Sequence, residues 1–183
     1  MVWCLHMEAM TWSPVVLGAT VGVVTRQGSQ MSRIVFVGQQ PSKHEDEGLV
    51  LPVRPGSSGD RIIKMMGVTE QAFRDSFDCV NVSARHDPDG FSPEYHVREV
   101  WNMMSLFRGR KLVLLGPAVA SAFQISREKY DWCQWFDHPT WEDHHGLFMV
   151  IPHPSGANRL YNDPFIFEMV RSNLDFIWQQ RDA

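Results

Sequence analysis

The chain of 183 residues reads as a single-domain α/β protein: three layers, α/β/α, around a central four-stranded parallel sheet. Three observations predict this. Four short runs, residues 33–38, 77–82, 111–115 and 147–151, are largely apolar and rich in β-branched side chains, as expected of strands buried on both faces. Segments of helical spacing separate them. Each run closes at or beside Gly38, Asn81, Gly116 or Pro152, where the backbone can turn.

Taken in order, residues 33–38 form the first strand, ended by Gly38. Residues 41–59 are rich in Pro, Gly, Ser and charge and predict a long loop, a length that in compact domains usually carries function or stays disordered. Ile62, Ile63 and Met66 recur at helical spacing over residues 60–66, and Gly67 closes that helix. Residues 77–82 form the second strand, followed by a polar loop through Arg85, Asp87, Pro88 and Gly90. Ser92-Pro93-Glu94 starts a helix with serine as cap and proline in the first turn, and Val97, Val100, Trp101 and Met104 are expected to face the core. The third strand, residues 111–115, turns through Gly116-Pro117 straight into an Ala-rich helix ending at Phe123. Residues 124–146 are expected to be an irregular, aromatic-rich connection. The fourth strand covers residues 147–151, residues 152–156 leave it as a loop, and residues 165–178 close the fold as an amphipathic helix.

The formal net charge of −4 leaves no global basic footprint, so any nucleic-acid contact must rest on a local patch. Arg54, Arg61, Lys64 and Arg85 fall on loops or helix starts and could supply one, although each also suits an ordinary solvated surface. Cys4, Cys79 and Cys133 are odd in number and form no C-x-x-C pair, which supports neither a disulfide framework nor a thiolate cage. A reducing cytoplasm is the natural compartment. His138, His144 and His145 lie near Asp137, Glu142 and Asp143, but the spacing fits no usual zinc pattern. No metal and no cofactor is expected. No apolar run approaches the ~20 residues of a membrane span, and a monomer is expected. Met31 can serve as a native start, with residues 1–30 an extension before a domain over residues 31–183. Alternatively, Trp3, Leu5, Trp12 and the apolar run 15–24 pack as an added element; both readings stay open.

In a doubly wound sheet, ligands gather at the carboxyl ends of the strands. Those ends carry Gly38-Gln39-Gln40-Pro41-Ser42, Asn81 and His153-Pro154-Ser155. The residues best suited to chemistry therefore converge on one rim.

At these positions the chain resembles the uracil-DNA glycosylase superfamily. Gly38-Gln39-Gln40-Pro41-Ser42 looks like its first motif and His153-Pro154-Ser155 like its second. Gly56-Ser57-Ser58-Gly59 before a helix, Asp78-Cys79-Val80-Asn81, and the strand–Gly116–helix joint are most similar to the thermophilic iron–sulfur branch. The resemblance spans residues 33–178. It implies a glycosylase that extrudes a base from DNA and hydrolyses its N-glycosidic bond. Asn81 would read the Watson–Crick edge of a flipped pyrimidine with one donor and one acceptor, and Gln39 would help contact the base. His153 would stabilise the negative charge that grows on the leaving base. Ser155 and Gly156 would hold a backbone phosphate, and Asn158, Arg159 and Leu160 occupy the place of the loop that wedges into the vacated stack. Arg159 also suits phosphate binding, and Leu160 also suits the core.

The chain departs from the family pattern in four places. Gln40 stands where the best-known branch has a water-activating aspartate; a carboxamide is no general base, and it can only orient water. Ser42 replaces the tyrosine that blocks carbon 5 of the pyrimidine in the uracil-specific branch. No stacking aromatic occurs in residues 51–54, and the cluster cysteines of the iron–sulfur branch are absent. No lysine occupies a motif position, so no lyase step is implied. The expected activity is monofunctional removal of uracil or a 5-substituted pyrimidine, in single- or double-stranded DNA, for base-excision repair or for defence against modified viral DNA. Two rivals remain: a DNA-binding module of the same fold without catalysis, and an unrelated doubly wound enzyme acting on a free nucleotide.

Overall fold

The computed structural model describes residues 33–41, 51, 53–138 and 146–181. Its strands are β1 (Ile34–Gly38), β2 (Asp78–Asn81), β3 (Lys111–Leu115), β4 (Trp135–Asp137) and β5 (Leu147–Ile151). They form one sheet in the order β2-β1-β3-β5-β4. The first four in that order run parallel, whereas β4 pairs antiparallel with β5. The sheet therefore has five strands, one more than the four expected. The extra edge strand lies within residues 124–146, expected to be irregular. Three residues are too few to display an alternation. What holds β4 is Phe136, whose ring stacks on Tyr130 and tilts against Phe148.

Alternate residues of each parallel strand enter different cores, because successive side chains point to opposite faces. Ile34, Phe36, Val113, Leu115, Met149 and Ile151 face one cluster, beneath α1 (Ser58–Met66), α2 (Glu70–Ser76) and α5 (Pro164–Gln179). Val35, Val37, Leu112, Leu114, Phe148 and Val150 face the other, beneath α3 (Val97–Phe107) and α4 (Pro117–Ala122). Each strand carries apolar residues on both faces because each face is covered by helices.

Helix α1 is capped by Ser57, whose hydroxyl accepts from Asp60 N, and ends at left-handed Gly67. Helix α2, absent from the sequence expectations, starts at Thr69, whose hydroxyl accepts from Ala72 N. Its one buried residue is Phe73, too sparse an apolar pattern to announce a helix. The segment after Ser92 opens as a 3₁₀ turn (Pro93–His96) before α3, and Ser92 makes no capping bond to it. Val100, Met103 and Phe107 form the buried stripe of α3, while Trp101 is 52% exposed, contrary to expectation. The register of the stripe is set by the later residues of the helix rather than by its first turn.

At the amino end of the sheet, Asp78 of β2 and Arg110, the residue before β3, form a buried ion pair, and Arg110 also donates to Leu106 O. None of the described helices is long and apolar enough to cross a membrane.

Candidate active site

The chain leaves β1 toward β2 on one side and later enters β3 on the other, so the topological switch lies between β1 and β3. A crevice opens there at the carboxyl edge. Both strands meet that edge with glycine: Gly38 ends β1 and Gly116 follows β3. Gly38 is the in-register neighbour of Asn81, and a Cβ built on it would collide with Asn81 Oδ1. Gly116 has φ 101° and ψ 166°, and a Cβ there would lie 2.8 Å from His153 Cβ. The floor of the crevice is thus bare backbone. Asn81 leans over it from β2 and His153 from the loop after β5.

Asn81 is buried, 8% exposed, at the end of β2 with its Oδ1 over Gly38. His153 is half-buried at the start of the loop after β5. Burial holds its pKa below the ordinary histidine value. The imidazole is therefore neutral near pH 7, with one N–H to donate and no proton held in reserve.

The loop that carries His153 is fixed by side chains gripping its carbonyls. Tyr161 Oη donates to Pro152 O at 2.7 Å, Asn158 Nδ2 to His153 O at 2.9 Å, and Arg61 Nη1 to Ser155 O at 3.1 Å. Asn158 N also donates to Ser155 O, and Asn158 Oδ1 accepts from Leu160 N. The Asn158 carboxamide is thus committed to the loop at both ends, and this side chain shapes the loop rather than reaching out of it. Arg159 and Leu160 are exposed on the following 3₁₀ turn (Arg159–Asn162), with Leu160 42% exposed, so it does not belong to the core. Ser155 is half-buried and Gly156 is exposed beside Arg61.

Gln39 and Gln40 are half-buried just beyond β1. Gln39 O accepts from Ser83 N at 2.9 Å, which extends the β1–β2 pairing beyond Asn81. Both ends of the Gln40 carboxamide engage the backbone of one residue: Nε2 donates to Asp87 O and Oε1 accepts from Asp87 N, each at 3.2 Å. His86 Nδ1 lies 3.3 Å from Gln40 Nε2. This geometry ties the first rim loop to the second. Ser42, His144 and His145 lie outside the described residues. Leu51 is buried in the core at φ 53°, so its side chain packs with α1 and α2 instead of facing the rim. Arg54 and Arg85 are exposed. His138 is buried with Nε2 against Phe123 O at 2.8 Å, a structural position. Among the described residues no three His, Cys, Asp or Glu side chains gather as metal ligands.

Sequence reasoning missed the carbonyl clamp of Tyr161 and Arg61 and the steric task of the two glycines. The clamps join residues 9 and 94 positions apart, and no local pattern announces such a bond.

The strand order, with its switch between β1 and β3 and Asn81 and His153 set over Gly38 and Gly116 at the carboxyl edge, defines a doubly wound α/β protein. The family model of the uracil DNA glycosylase superfamily matches residues 25–178, and the chain belongs to that superfamily. Enzymes of this superfamily generally hydrolyse N-glycosidic bonds in DNA. No curated protein matches the chain.

Proposed function

We propose that the protein is a monofunctional DNA glycosylase that takes an extruded pyrimidine into the crevice, hydrolyses its N-glycosidic bond and leaves an abasic site. The observation that carries this reading is the pairing of Asn81 and His153 across a floor of Gly38 and Gly116. The Asn81 carboxamide offers a donor and an acceptor to the pyrimidine edge. As the glycosidic bond lengthens, negative charge grows on the base and positive charge on the sugar. A neutral His153 donates a hydrogen bond to the base oxygen on which that charge collects. Water adds to the sugar carbon and releases its proton to solvent. Gln39, Ser42, Ser155, Gly156, Arg159 and Leu160 are assigned to the base, the phosphates and the vacated stack.

The substrate class proposed is uracil or a pyrimidine substituted at carbon 5, since Ser42 is smaller than the tyrosine of the uracil-specific branch. Removal of uracil fits base-excision repair, and removal of a bulky 5-substituted base fits defence against modified viral DNA. The test incubates the protein with oligonucleotides bearing uracil or 5-substituted pyrimidines and scores alkali-labile breaks, for wild type and Ser42→Tyr. Cleavage of uracil alone, unchanged by the tyrosine, removes the 5-substituted class.

A second reading, a DNA-binding module of the same fold, is favoured by one observation: Gln40 is tied to the Asp87 backbone and offers the site no base. Tight binding of base-modified DNA without any break in the panel would select it.

A further inference from the structure

Away from the crevice, α1 and α5 enclose a cavity of about 360 Å³, within the range of small-ligand sites, ~300–1,000 Å³. Arg61 and Lys64 reach it from α1, Phe167 and Arg171 from α5, and Tyr161 and Asn162 from the 3₁₀ turn that follows the His153 loop. No carboxylate lines it among the described residues. Lys64 pairs with Asp60, and Arg171 with Glu168 and Asp175, but those acids are not among the residues that line the cavity. Arg61 meets no carboxylate among the described residues; its Nη1 donates to Ser155 O. The cavity thus combines three cationic side chains, of which Arg61 meets no carboxylate among the described residues, an aromatic ring 36% exposed and a carboxamide. That set complements a ligand with a phosphate at one end and a flat polar ring at the other.

We propose that this cavity is a second nucleotide subsite, which takes an unpaired nucleotide adjacent to the extruded one in the same strand. The inference rests on the reading of the crevice as a site for an extruded base. Its base lies against Phe167 with its edge at Asn162, and its phosphate lies between Arg61 and Lys64. Arg61 fixes the relation of the two sites, because one guanidinium both lines the cavity and holds the loop that bears His153. A nucleotide there must be unstacked from its own partner strand, so the subsite directs the protein toward single-stranded or locally opened DNA.

The test measures binding of single-stranded oligonucleotides by fluorescence anisotropy. Each carries a central tetrahydrofuran abasic analogue, so nothing remains to be excised, and thymine or a second tetrahydrofuran at either neighbouring position. Wild type is expected to lose roughly tenfold in affinity when the base on one side, and only that side, is removed, in line with the loss of one stacked base. Phe167→Ala should bind both oligonucleotides at the weaker level. Lys64→Gln should flatten the dependence of log affinity on log salt by about 0.7, one phosphate contact on a single strand. Indifference of wild type to both neighbouring bases, or undiminished discrimination in Phe167→Ala, overturns the subsite and leaves any excision of the central base standing. Free dTMP bound as tightly as the oligonucleotides would make the cavity a site for mononucleotides and overturn the proposal. Failure to bind any of the DNA would sink the glycosylase reading together with it.

Discussion

Gly116 lies directly beneath His153: a methyl group on this glycine would meet His153 Cβ at 2.8 Å and Cδ2 at 3.5 Å. The same glycine holds φ 101°, a conformation that L side chains rarely adopt, and its N–H donates to Ile151 O at 2.9 Å. The residue that starts α4 therefore also sets the height of the imidazole above the crevice floor.

Gly38→Ala and Gly116→Ala are expected to separate two effects. Gly38 has ordinary backbone angles, so its alanine variant should fold with little loss of melting temperature but displace Asn81 and abolish base reading. Gly116→Ala should lose excision and also destabilise by about 1–3 kcal/mol from backbone strain. Thermal melts with single-turnover excision check this, and equal stability losses in the two variants would contradict it.

His153→Ala should lower single-turnover excision ~10²–10³-fold, the usual effect of removing one group that stabilises a developing anion. Asn81→Ala should weaken excision with little change in melting temperature, because the side chain removed lies at the end of β2, on the rim. A marked loss of stability in Asn81→Ala would show that its amide serves the fold.

The depressed pKa of His153 has two pH consequences. Excision needs the neutral ring, so the rate should hold as pH falls through the ordinary histidine value and decline only at the lower, folded-state pKa. Between those two values the unfolded chain binds a proton that the folded chain does not, so stability should fall with falling pH across that window. Below it this contribution is constant. Melting temperature against pH for wild type and His153→Ala should show a shallower slope in the variant within that window.

Tyr161→Phe removes the hydroxyl that holds Pro152 O. A loss of about 0.5–1.5 kcal/mol in stability is expected, with a reduction in excision smaller than that of His153→Ala and carried by kcat more than KM. An unaltered kcat would mean that the loop keeps its shape without the clamp.

Arg110→Met leaves Asp78 buried without its partner and should destabilise by about 3–5 kcal/mol. Excision measured at a temperature where the variant remains folded should match wild type. A changed rate under those conditions would connect the amino end of the sheet to the chemistry.

The parallel core was legible because its four strands are apolar on both faces, a pattern that few other arrangements require. Asn81 and His153 were legible too, since each follows a strand run and the carboxyl edge of such sheets is where ligands sit. Strand β4 was not, because three residues among many aromatics carry no period. The packed face of α3 was misjudged by its first turn: Trp101 competes with Met103 and Phe107 for the stripe, and only the contacts of Met103 and Phe107 with the sheet decide. Gln40 and Asn158 show the same gap in the site. Their residue type suits contact with a ligand, but their hydrogen bonds go to Asp87, His153 and Leu160, and that choice is made by tertiary neighbours.

Asp78, which pairs with Arg110, and Asn81, which meets Gly38, sit at opposite ends of β2, only three residues apart. One end is anchored by the ion pair and the other faces the candidate site. Substrate preference can therefore drift by exchange of rim side chains without eroding the anchor, and a variant made more robust at the amino edge should tolerate a wider library of rim substitutions before it unfolds. For directed evolution, that makes the ion-paired edge the place to reinforce first and the glycine-floored edge the place to diversify.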